Sequence, residues 1–220
     1  LPATSTPKLK IVREPRWPAF VAMIAAGCMY WAMPEPFSVG PGWALLAIVL
    51  ILLIPVSASY KLGRLDISRV LTFFVNGVLT VAMVLSLGIL IWGISQHKYS
   101  PTSLLRCSVA LWITNVLVFA LWYWKLDAGG PLGRETAKQR NIDSSFLFPQ
   151  MTQQAEDCAP EERWRPHFMD YLFLAFNTST AFSPTDTAVL SRWAKAGMML
   201  QALISLTIVA LIAARAVNIL

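Results

Sequence analysis

The side chains best placed for chemistry in this chain are oxygen and amide groups, not nucleophiles. The stretch "FNTSTAFSPTDT", residues Phe176 to Thr187, gathers Asn177, Thr178, Ser179, Thr180 and Asp186 between two apolar runs. Hydroxyls, an amide and a carboxylate in close order can replace the water around a small ion. Asn76 and Asn115, in the middle of apolar runs, and Asp170, near the start of another, extend this set of pathway candidates. A plainer reading stands beside it. Ser183 and Pro184, followed by Asp186, have the form of a helix start: a capping hydroxyl, a proline at the first helical position, then an acid. "YSPTS" repeats that form at Ser100 and Pro101. Ser183 and Pro184 are therefore expected to open the last helix, and Ser100 and Pro101 an earlier one. Serine and threonine at 178–180 also bond back to their own helix. An interhelical hydrogen bond is the plain role for Asn76 and Asn115, and an interfacial position the plain one for Asp170.

Classical catalytic groupings are missing from the sequence. His97 and His167 have no ligand partner one helical turn away, and Cys28, Cys107 and Cys158 form no C-x-x-C. The expectation is therefore no metal, no cofactor and no enzymatic activity.

The elements that must carry the polar stretch are apolar helices. Hydrophobic residues make up 56% of the 220 residues and charged ones only 14%, well outside the range of soluble domains. The excess lies in long runs, which defines an all-α, polytopic helical membrane protein with the lipid bilayer as its first partner. Five runs are clear: Trp17–Met33, Trp43–Tyr60, Ser68–Ile94, Leu104–Trp124 and Trp193–Val217. Tryptophan or tyrosine marks most of their ends, as an interfacial belt requires. A sixth run, His167–Phe182, is either a short sixth span or a re-entrant helix. The organisation expected is a basic N-terminal segment over residues 1–16, four transmembrane helices over 17–124, a long polar loop over 125–166, and a short apolar helix, turn and last transmembrane helix over 167–220. Phe146–Phe148 inside the loop is expected to pack back on the membrane face. "LPATSTPKLKIVREPR" has no apolar stretch and does not read as an uncleaved signal peptide.

Charge orients the chain. With a cytoplasmic N-terminus and six spans, every lysine and arginine lies inside except Lys98, Arg106, Arg192 and Lys195. With five spans and a re-entrant loop, the exceptions are Lys98, Arg106 and Arg215. Both counts place the N-terminus and the 125–166 loop in the cytoplasm, and neither decides whether 167–182 crosses. The net charge of +6 is thus membrane topology rather than a nucleic-acid surface, so no nucleic acid is expected as a partner.

Two resemblances bear on these residues. "YLFLAFNTSTAFSPTDTAVLSRWAKAGMML" resembles potassium-channel pore regions in layout: a short helix, a threonine-rich stretch, then an inner helix. Thr178, Thr180 and Asp186 fall where that family has its filter threonines and aspartate. Ser183 and Thr185 replace the filter glycines, and Pro184 replaces the aromatic between them, so the glycine-dependent filter geometry is not kept. A potassium-type pore loop also enters from outside, which would invert the charge bias. "WYWKLDAGGP", "FLFPQM" and "DYLFLAFNTSTAFSPTDT" resemble a family of uncharacterised bacterial inner-membrane proteins, domain of unknown function 1345. That resemblance runs from about Trp17 to the end. It implies a bacterial inner-membrane location and no particular activity.

Two functions follow as expectations. One is transport or channel-like activity through the polar stretch. The other is a structural or accessory subunit without transport. A homo-oligomer or a larger membrane complex is the assembly either would form. A continuous helix through Thr180 is expected if the stretch is structural. Extended backbone at 178–180 is expected if it is a filter, because positions two apart on a helix point about 200° apart.

Overall fold

The computed structural model describes residues 14–62, 64–95, 99–136, 144–153, 164–180 and 186–216. The chain is mostly helical. The major helices are α1 (Trp17–Trp31), α2 (Gly42–Lys61), α3 (Leu65–Ser95) and α4 (Pro101–Leu126). Shorter α5 (Gly130–Thr136), α6 (Pro149–Thr152) and α7 (Phe168–Thr180) follow, and α8 (Arg192–Ala216) comes last. One pair of two-residue strands, β1 (Phe146–Leu147) and β2 (Ala188–Val189), runs antiparallel, with Phe146 opposite Val189. The sequence reading as all-α left no place for it.

Four helices are long and apolar enough to cross a membrane: those within Gly42–Tyr60, Asp66–Gly93, Pro101–Arg134 and Arg192–Ala214. Trp17–Trp31 is shorter than the sequence count of five implied. Its 15 residues reach about 22 Å against a hydrocarbon core of about 30 Å. The run is cut at Ala32 by the "PEP" that follows, where Glu35–Phe37 forms a single 3-10 turn. Trp17, Trp31, Trp43 and Trp92 stand exposed at helix ends.

Helix α4 is the central post: 67% of its span is buried, against 17% for α8. It packs on α1, α3, α7 and α8. Its start is capped by Ser100, whose side chain accepts the Ser103 N–H, with Pro101 in the first turn. Close approach of α1 and α2 depends on Gly27, where a β-carbon would lie 3.2 Å from Leu46 Cα.

The last helix begins later than the Ser-Pro signal indicated. Ala188–Val189 is extended and held by β1, Leu190 N–H donates to the Ser145 carbonyl, and Ser191 accepts from Ala194 N–H at the head of α8. Ser183 and Pro184 lie outside the described residues. Helix α8 itself begins at Arg192. His97 and Cys158 also lie outside the described residues.

Candidate functional site

The region around α7 contains two buried polar clusters, one at an end of the bundle and one in its interior. The end cluster is built on "WYWKLDAGGPLGR". Helix α4 stops at Leu126, and the chain turns through Ala128, Gly129 and Gly130, all with positive φ. At Gly130 a β-carbon would sit 2.7 Å from the Lys125 carbonyl, and one at Gly133 would overlap the Ala128 carbonyl. This tight turn brings Arg134 back under the end of α4. There its Nη1 donates to the carbonyls of Trp124 and Asp127, both at 3.0 Å. Those carbonyls are among the groups a helix C-terminus leaves open, and the guanidinium satisfies them. The rest of the guanidinium binds Glu14 at 3.0 Å, and Trp124 Nε1 donates to the other Glu14 oxygen.

Asp127 is fully buried. Its carboxylate accepts from the Tyr171 hydroxyl, the Ser145 N–H and the Ser144 hydroxyl. A buried carboxylate is tolerable only with donors of this number. Phe146, completely buried, sits with its ring against Tyr123, Tyr171 and Trp193. Phe146 and Phe148 thus form an aromatic plug that ties the 144–149 segment to α4, α7 and α8.

The interior cluster is centred on Gln201, which is fully buried. Its amide nitrogen donates to the Ala175 carbonyl at 2.7 Å and to Ser179 Oγ at 2.8 Å. Its amide oxygen accepts from the Tyr123 hydroxyl at 2.7 Å. Asn115 donates to Ser179 Oγ and to the Gln201 carbonyl. Ser205 donates to the Ser179 carbonyl and accepts from Trp112 Nε1. One helix face of α7, Tyr171, Leu174, Ala175 and Ser179, is buried; the opposite face, Met169, Phe173, Phe176 and Thr180, is exposed.

These contacts fix the path of the chain. Tyr171, near the start of α7, meets Asp127 at the end of α4, whereas Ser179 meets Asn115, twelve residues up α4 and so about 18 Å along its axis. Beyond Thr180 the chain is found again at β2, back beside Phe146, Tyr171 and the end of α4. Helix α8 then starts at that same end and runs past Tyr123, Asn115 and Trp112. Tyr171 and Leu190 therefore lie at one end of the bundle, and α7 and α8 run parallel.

The candidate residues separate within this geometry. Helix continues through Thr180. Thr178 and Thr180 bond back to the carbonyls of Leu174 and Phe176. Asn177 is half-buried and Asp186 exposed at the β2 end. Asp170 accepts from His167 N–H at 2.7 Å, the return half of a capping box at the start of α7. Asn115 and Ser179 join the Gln201 cluster. Asn76 on α3 stands apart from it, buried, with neither side-chain polar atom bonded among the described residues. A cavity of about 320 Å³ opens beside the end of α7, lined by Trp112, Thr178, Ser179, Thr180, Ala202 and Leu206. Gln201, Tyr123, Asp127, Arg134 and Glu14 were not singled out from sequence. Gln201 had a visible signal, a lone amide inside the apolar "GMMLQALIS", and Asp127 had the double glycine behind it.

Compared with family models, with curated proteins and with solved structures, the chain matches none.

Proposed function

We propose that the chain is a bacterial inner-membrane protein of channel-like or transport function, with a cytoplasmic N-terminus, five crossings and a re-entrant α7. The crossings are α2, α3, α4 and α8, together with α1, whose 15 residues cross with local thinning of the bilayer. Under this topology every lysine and arginine is cytoplasmic except Lys98, Arg106 and Arg215. The observation that carries the reading is the one-sided path of 168–190, with both ends beside Asp127 and Ser145 and the tip of α7 beside Trp112. Backbone that stops being helical at membrane depth is tolerated where protein or water covers it. Half-helices ending in the bilayer are how transporters and channels build ion sites. The end of α7 that points inward is its C-terminus, the negative end of the helix dipole, and the 320 Å³ cavity adjoins it. A small cation is the substrate class this polarity favours. The short helix followed by a crossing helix is also the layout that the resemblance to pore regions implies.

Flux of potassium and sodium into liposomes carrying the purified protein tests the reading. Wild type is expected to conduct, and Thr180→Arg, which sets a fixed cation at the cavity from an exposed position, to abolish conduction. Flux that survives the substitution removes the cavity from the pathway.

A second reading is favoured by the hydrogen bonds themselves. Thr178 and Thr180 are satisfied by their own helix, and Ser179 by Gln201. A structural or accessory subunit needs no more than this. No flux from wild type, together with stoichiometric co-purification of another membrane protein, is its distinguishing result.

A further inference from the structure

Helix α3 packs against α2 and α4, and Ser68, Thr72, Asn76 and the half-buried Thr80 follow one another along its inner face. Positions four apart on a helix share a face. Asn76 is 1% exposed. Helix α3 opens at Leu65, so Asn76 stands about 16 Å along the axis, near the middle of a hydrocarbon core about 30 Å thick. Among the described residues neither its Oδ1 nor its Nδ2 has a partner. The hydroxyls one turn away do not donate to it. Thr72 donates to the Ser68 carbonyl at 2.7 Å, and Thr80 to the Asn76 carbonyl at 2.7 Å, while Thr80 Oγ1 accepts from Trp122 Nε1 at 2.9 Å.

A buried amide left unbonded is costly, and hydrocarbon offers it neither donor nor acceptor. Ser86, also buried and unbonded among the described residues, is a lesser case, because a hydroxyl rotates onto a carbonyl of its own helix. An amide has two donors and an acceptor oxygen to satisfy. The way to a partner lies toward the start of α3. There Ser68 and Thr72, with Tyr60, line a cleft among α1 to α4 at the end of the bundle that carries residue 14. Its volume of about 30 Å³ has room for one or two water molecules. A long side chain on a helix leans toward the helix N-terminus. For Asn76 that direction is Thr72 and the cleft. Further along α3 the inner face is apolar: Leu79 and Met83 are each 1% exposed.

We propose that this face of α3 binds water, which enters at the cleft, passes Ser68 and Thr72 and ends on the Asn76 amide. The result is an aqueous inlet to mid-membrane, closed beyond Asn76 by Leu79 and Met83. Water is the occupant because the amide calls for a donor and an acceptor together, and one water molecule is both. The inlet shares no lining residue with the cavity beside α7, and it stands whether or not the chain conducts.

Water-edited NMR of the full chain in nanodiscs, isotope-labelled at asparagine, glutamine and methionine, is the test. Asn76→Leu assigns the Asn76 amide signal. Gln201, whose amide nitrogen is bonded to Ala175 and Ser179, serves as the dry reference. Magnetisation from water is expected to reach the Asn76 amide protons well before those of Gln201, and not to reach the Met83 methyl. Thr72→Val keeps the shape of the side chain and removes a hydroxyl from the route. It is expected to slow transfer to Asn76 about fivefold, the effect of one hydrogen bond. Transfer to Asn76 no faster than to Gln201 overturns the proposal, as does transfer that Thr72→Val leaves unchanged. Transfer to Met83 as fast as to Asn76 overturns the closed end.

Discussion

The two polar clusters that hold α7 in place are made of different material. At the end of the bundle the groups are ions: Glu14, Arg134 and Asp127, linked through Trp124 and Tyr171. In the interior they are neutral: Asn115, Gln201, Ser179, Ser205 and the hydroxyl of Tyr123. The separation follows the cost of each kind of group. An ion deep in hydrocarbon is expensive, while at a helix end its charge is within reach of headgroups and water. An amide at depth costs less and gains a modest interhelical bond. The comparison teaches that α7 is anchored by charge at its outer end and only steadied by hydrogen bonds at its inner end.

That contrast can be broken or sharpened by substitution. The largest effect is expected from Arg134→Leu. It removes the cation from the buried Glu14 and reopens the Trp124 and Asp127 carbonyls. Loss of one member of a buried pair costs about 3–5 kcal/mol. Thermal unfolding in detergent is the measurement, and Glu14→Gln added to Arg134→Leu is expected to recover part of the loss. A shift near zero for Arg134→Leu alone would show the end cluster to be solvated and erase the contrast. Gln201→Leu comes next, at about 0.6–2 kcal/mol. Tyr123→Phe on top of it is expected to add little, because the hydroxyl has already lost its acceptor; full additivity in that double-mutant cycle would mean that the two do not act together. Smallest is Thr180→Val, within about 0.5 kcal/mol, since its hydroxyl is exposed and bonds to its own helix. A larger effect would show that Thr180 has a partner beyond its own turn.

How far the sequence could be read follows the range of the interactions. Helices α2, α3, α4 and α8 announce themselves because membrane hydropathy is a local property summed over about 20 residues. The Ser100 cap is local too. The same pattern at Ser183 and Pro184 lies outside the described residues; the start of α8 at Arg192 follows a strand paired with Phe146 and Leu147, about forty residues earlier, and nothing near Ser183 encodes that pairing. Whether 167–182 crosses or re-enters was left open by charge for a related reason. The contacts that bear on it, Tyr171 on Asp127 and Leu190 on Ser145, are both long-range. Asn115 was legible as a buried amide, whereas its partner Gln201 was passed over among the apolar residues of the last helix. The helical run through Thr180 was legible because serine and threonine satisfy themselves on the preceding turn.

The parallel arrangement of α7 and α8 has a consequence for biosynthesis. Helix α7 has 13 residues, enough for about 20 Å. Such a segment gains little by leaving the ribosome's exit path for lipid alone. Its slot is walled on one side by α4 and on the other by α8, and Gln201 on α8 supplies the bonds to Ala175 and Ser179. Yet α8 is synthesised after α7. The set of bonds that holds α7 is therefore complete only once α8 has been made, whereas its bonds to Asp127 and Asn115 on α4 need nothing later in the chain.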